Sequence, residues 1–149
     1  MPGFYNEQRT LPEGVSLSRD LAQHIFMRGV KRGVVVVTDR PMDLLATTKK
    51  QWHILTRQVE RERASTLKLA RIAELTNQLE WMRRLTFTTK LSNDLADSNV
   101  VFASPNGLVR QPPICSTLYI IEPIADEQFR LITSWLPVNS VVIQYEKRR

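Results

Sequence analysis

Glycine is scarce in this chain: five residues in all, and none between Gly33 and Gly107. That scarcity excludes a Gly-rich phosphate loop and a dinucleotide-binding fingerprint, which need several glycines within a few positions. Proline is missing between Pro41 and Pro105, so nothing in that interval forces a helix to stop. The one cysteine, Cys115, excludes an intramolecular disulfide framework and fits a reducing compartment. The two histidines, His24 and His53, lie far apart; with a single cysteine and no short ligand spacing they make no zinc site, and no metal is expected. A G-x-S-x-G elbow is also missing. A Cys-His nucleophile pair would need an exposed Cys115, but Cys115 begins an apolar stretch and reads as a small buried hydrophobe. Purely apolar runs stop at the length of Val34–Val37, far short of a bilayer span, so no membrane partner is expected. The opening residues lack a basic segment followed by an apolar one, so they do not read as a signal peptide. These absences describe a cytoplasmic protein that is not an enzyme, with no catalytic residues and no cofactor.

What the chain has is one long helical run. Residues 41–90 read as helix almost throughout, starting on Pro41. By direct count they carry ten Lys and Arg against five Asp and Glu, or +5 of the whole chain's +6. A sequence pI near 9.9 makes the surrounding field favour anions: nucleic acid, an acidic membrane surface or an acidic protein. The candidate cations are Lys49, Lys50, Arg57, Arg61, Arg63, Lys68, Arg71, Arg83 and Arg84, with Lys90 beyond them. Mobile cations at intervals along a track suit phosphate contacts that carry no sequence information. Glu60, Glu62, Glu74 and Glu80 are available for internal ion pairs on the same run.

The apolar phase of the run breaks. With Trp52 set at zero and about 100° per residue, Leu55 and Val59 fall within about 60° of it. Leu75, Leu79 and Met82 cluster near 120–180°, with Ile72 at about 200°. The shift lies in the polar stretch 60–66. As one rod, fifty helical residues would span roughly 75 Å, against a radius of gyration of roughly 15 Å for a compact chain of this length. The run is therefore expected to fold as a hairpin or a sharply kinked helix, or to continue and bury its second stripe against another chain. The stripe Ile72, Leu75, Leu79 and Met82 is the candidate interface, for a homo-oligomer or as a subunit of a larger complex.

A length of 149 residues suggests one domain. Residues 1–15 read as an irregular N-terminal arm punctuated by Pro2, Gly3, Pro12 and Gly14. Ser16 or Ser18 can cap a helix over 19–28, ended by Gly29 at a position that needs positive φ. Residues 34–38 are the clearest strand, and four successive valines argue for burial on both faces. A polar connector at 92–99 leads to a second strand at 99–104 and a turn at Pro105, Asn106 and Gly107. Residues 115–122 and 140–146 read as strands, 126–136 as a short helix, and 147–149 as a basic tail.

After the first helix this order is β-α-β-β-α-β. The expected fold is therefore α+β: a ferredoxin-like antiparallel sheet with an N-terminal helix and a long helical insertion between its first two strands. The runner-up is a small α/β layer fold with strand 34–38 central. The two predict different fates for Asp39 and Glu122, each near the end of a strand. In the ferredoxin-like sheet those ends point apart; in a parallel sheet they converge and could hold a metal, as in a nuclease. Base stacking on the sheet is not expected, because the first strand is all valine and the third has only Tyr119. Trp52, Trp81 and Trp135 read as core or interface anchors. The leading expectation is a small accessory protein that binds nucleic-acid backbone, or an acidic protein, through its basic helical run. The alternative is a scaffold that self-associates through the 72–82 stripe.

Overall fold

A computed structural model describes residues 3–92 and 97–146. Its six strands are all parallel and form one sheet: β1 (Tyr5–Arg9), β2 (Val34–Val37), β3 (Thr86–Thr88), β4 (Asn99–Ala103), β5 (Thr117–Ile120) and β6 (Val141–Tyr145), in the order β1-β6-β5-β2-β4-β3. The ferredoxin-like antiparallel sheet is therefore replaced by an α/β layer fold with β2 central. The physical reason lies in the strands themselves. All four valines of β2 are at most 1% exposed, and all four residues of β5 are buried. Val34 and Val36 enter one core while Val35 and Val37 enter the other. A sheet with helices on one face only could cover just half of each run.

Three helices cover the first face: α1 (Leu17–Arg28), α2 (Pro41–Ser65) and α3 (Leu69–Arg84). Two short helices, α4 (Pro105–Arg110) and α5 (Asp126–Ile132), cover the second. The Ser16 hydroxyl accepts from the Arg19 N–H at the start of α1. Gly29, at φ 76°, ends it, and its N–H bonds the Ile25 carbonyl. The turn expected at residues 105–107 is the first turn of α4, capped by Ser104 through the Gly107 N–H at 3.2 Å. The connector 92–99 falls partly, and the basic tail 147–149 wholly, outside the described residues.

The long run is a hairpin, broken at residues 66–68 by extended backbone at Thr66 and Lys68. α2 is 25 residues long, roughly 37 Å, while a four-residue strand such as β2 spans about 13 Å. α2 therefore overhangs the sheet, and α3 turns back to pack against it. The second apolar stripe finds its partner here. Leu75 and Leu79 are 0% exposed and Met82 1%, in the same core as Trp52 and Val59 of α2. Burial of each such side chain contributes about 1.5–3 kcal/mol. Residues 86–88, which the sequence placed within the helical run 41–90, leave it altogether and form the edge strand β3.

The arm at 1–15, expected to be irregular, supplies β1 at the opposite edge, paired with β6. Its anchor is a buried polar cluster. Arg9 donates from Nε and Nη2 to the two oxygens of Asp20, both at 2.6 Å, and Tyr145 Oη donates to Asp20 Oδ2 at 2.8 Å. Alongside, His24 Nδ1 lies 2.7 Å from Tyr119 Oη. α1, β1, β5 and β6 meet in these five side chains. On α2, by contrast, the buried hydroxyl of Thr48 has no partner among the described residues. Thr48→Val keeps the shape and removes the orphan, so it is expected to raise the free energy of unfolding by about 1 kcal/mol, read from urea denaturation midpoints.

Candidate functional site

Parallel strands leave two places where chemistry could collect. The first is the crevice outside their carboxyl ends, between neighbours whose connections depart over opposite faces. β2 sends the chain over the α1–α3 face, and β5 sends it over the α4–α5 face. The two lie side by side. Asp39 and Glu122 follow these strands and do converge, as a parallel sheet requires. The Thr38 hydroxyl donates to Glu122 Oε1 at 2.9 Å, and the Asp39 N–H faces both Glu122 oxygens at 3.4 Å. Beside them a shallow cleft of about 300 Å³ is lined by Asp39, Ser104, Asn106 and Gln128 among others. Ser104 and Gln128 spend their side chains on capping α4 and on the Ala125 N–H. Among the described residues no third His, Cys, Asp or Glu joins a group able to hold a metal. The Glu122 carboxylate works here as a tie between two loop ends.

The second place is the outer face of the hairpin, where the sequence placed its candidate cations. The fold divides them into two sets. On α3, Arg71 bridges Glu62 at 2.6 Å and Glu74 at 2.9 Å, Arg83 reaches Glu60 at 3.1 Å, and Arg84 stands 4.0 Å from Glu80. Lys49, Lys50, Arg57, Arg61, Arg63 and Lys68 make no ion pair among the described residues. All of these are exposed except Arg63, which is half-buried. At about 100° per residue, Lys50, Arg57 and Arg61 lie within about 40° of one another, opposite Trp52. They form a line along α2 with steps of about 10 and 6 Å. His53 and Ile54 flank that line, and both are exposed.

The interface residues are placed differently. Leu75, Leu79 and Met82 are enclosed by the chain itself, and Ile72 is half-buried. The stripe expected to seek another chain is covered by the molecule's own α2. The tryptophans separate as well: Trp52 is buried, Trp81 half-buried against it, and Trp135 65% exposed. Burial pushes the Cys115 thiol up to about 12, which holds it protonated at neutral pH. No helix among the described residues is long and apolar enough to cross a membrane.

The Asp20–Arg9 pair was invisible in the sequence, because its partners come from β1 and α1 and neither residue type was marked by spacing. The pair does set the behaviour of nearby groups. Burial would raise the Asp20 carboxyl, but hydrogen bonds from Arg9 and Tyr145 outweigh it and hold the group below its ordinary value. Burial, then the positive charges of Arg9 and Arg28, hold His24 below its ordinary value. Both arrangements are structural, since Asp20 uses its oxygens on three donors from its own chain.

The chain matches no known protein family, no curated protein and no solved structure.

Proposed function

We propose that this protein binds nucleic acid through the outer face of α2, as a non-enzymatic accessory protein that grips phosphates without reading sequence. One observation carries the reading. The cations on α3 are paired with carboxylates within their own hairpin, while Lys50, Arg57 and Arg61 stand in line with none among the described residues. Exposed cations that stabilise nothing internally remain available to release counterions from a polyanion. Their regular line along a rigid helix favours an extended, evenly charged partner over a compact acidic protein. A reducing compartment such as the cytoplasm fits the buried, protonated Cys115.

The test is the salt dependence of binding to a random-sequence oligonucleotide. Each phosphate neutralised contributes about 0.7–0.9 to the slope of log affinity against log salt. Lys50→Ala/Arg57→Ala/Arg61→Ala is expected to reduce that slope by roughly two to three. Arg71→Ala/Arg84→Ala, which removes cations already paired, is expected to change it far less. No binding by the unmodified protein at low salt removes the reading, and so does an unchanged slope in the triple variant.

A further inference from the structure

A groove runs beside the line of cations, between α1 and α2. It holds about 290 Å³ and is lined by Arg19, Gln23, Gln51, Ile54, Leu55 and Gln58. Three of the six are glutamines, and their amides have no side-chain hydrogen-bond partner among the described residues. Glutamines that held the two helices together would bond across the groove, and these do not. Ile54, 44% exposed, and Leu55 supply apolar surface beneath them. No acidic side chain lines the groove. Arg19 stands on the α1 wall, and Lys50, Arg57 and Arg61 stand just outside the α2 wall.

We infer that this groove seats an unpaired base of a single-stranded nucleic acid whose phosphates follow Lys50, Arg57 and Arg61. The inference rests on the reading of α2 as a nucleic-acid surface and adds what form of nucleic acid it takes. Amide groups present a donor and an acceptor together, which suits base edges of any kind. A base in a duplex cannot enter a side groove, because its edges lie inside the stack. Nor can α2 enter the duplex. α2 packs against α1 and against α3, and rings from all three helices, Phe26, Trp52 and Trp81, meet one another beside it. Three helices at 8–10 Å spacing present a front roughly 30 Å across, far wider than a major groove of about 12 Å. A single strand can lay its backbone on the ridge and turn a base aside into the groove, as single-strand recognition requires.

The experiment compares four probes by fluorescence anisotropy at one salt concentration: an oligo-deoxyadenylate, the same strand annealed to its complement, heparin as a polyanion without bases, and a polyglutamate peptide. The single strand is expected to bind tightest. Gln51→Ala/Gln58→Ala is expected to weaken the single strand about tenfold and leave heparin unchanged. Both positions face solvent at least in part, and an unchanged circular dichroism melt shows that the variant is folded. Equal binding of single strand and duplex, with the glutamine variant indistinguishable from the parent, overturns the inference while phosphate binding by α2 stands. A polyglutamate peptide that binds as tightly as the single strand overturns it in favour of an acidic protein partner. Failure of all nucleic acid to bind at low salt overturns the underlying reading and the inference with it.

Discussion

Asp20→Ala is expected to lower the free energy of unfolding by about 3 kcal/mol, the lower end of the range for breaking a buried charge pair from one side, because Arg9 keeps a third of its side chain in water. Asp20 is 2% exposed and accepts three hydrogen bonds, two from Arg9 and one from Tyr145. Removing the carboxylate leaves a buried phenol without its acceptor and a guanidinium that water reaches only in part. Against a typical total of about 5–15 kcal/mol, the loss is a large share, and urea denaturation measures it directly. Asp20→Asn keeps one acceptor and is expected to lose less, which separates charge from hydrogen bonding. The damage should be local before it is global. β1 is an edge strand whose residues are mostly exposed, so hydrogen exchange over Tyr5–Arg9 should accelerate first. An equal gain in exchange across β2, β4 and β5 would contradict this account of the anchor.

The same cluster sets the direction of the pH response. Asp20 titrates lower in the folded chain than its unfolded value near 3.9. Its contribution is therefore complete above that value and disappears as pH falls through the lower, folded one. His24 is also lowered on folding, by burial first. What it contributes is present above its unfolded value near 6.5 and is lost as pH falls through the folded one. Both groups push the same way, so stability should decline in two stages on acidification, and Asp20→Ala should remove the lower stage.

Much of the fold was legible one element at a time. Four valines in a row announced a strand covered on both faces, and β2 is that strand. Gly29 announced the end of α1. The phase break between Val59 and Leu75 left a hairpin, a kink or a continuous helix docked on another chain, and the fold takes the hairpin. The topology was lost in combining them. A ferredoxin-like sheet covers one face, so it contradicts the valine run, and the link from Ala103 to Thr117 is long enough for a parallel crossover. β1 escaped notice because an exposed edge strand such as Tyr5–Arg9 has no apolar alternation to reveal it. β3 escaped because Thr86–Thr88 follows helix without a glycine or proline to mark the change. Of the basic surface, the sequence named the cations but could not rank them. Which arginines meet a glutamate depends on how α3 returns along α2, since Arg71–Glu62 and Arg83–Glu60 both cross the turn. The groove glutamines carried no signal at all, because a glutamine on a helix is ordinary until its neighbour is known.

The second large effect is expected at the junction where that return is fixed. Trp52 is 3% exposed, and its indole N–H donates to the Met82 carbonyl at 3.0 Å. That carbonyl is among the last of α3, which has no further helical turn to satisfy it. The Trp52 ring also meets Phe26 at 6.4 Å, Trp81 at 5.7 Å and Phe87 at 6.0 Å, so one side chain joins α1, α3 and β3. Trp52→Ala should cost about 3–5 kcal/mol through the cavity alone. Trp52→Phe, which keeps a ring and loses the donor, should cost nearer 1–2 kcal/mol. Because the main packing of α3 is against α2, hydrogen exchange in Leu69–Arg84 should rise more than in β4, β5 and β6. The line Lys50, Arg57 and Arg61 is carried by α2 itself. If α2 is the nucleic-acid surface proposed above, Trp52→Phe should leave that affinity near the parent's while Tm falls. A loss of affinity in step with Tm would mean that the binding face is built by the whole hairpin and not by α2 alone.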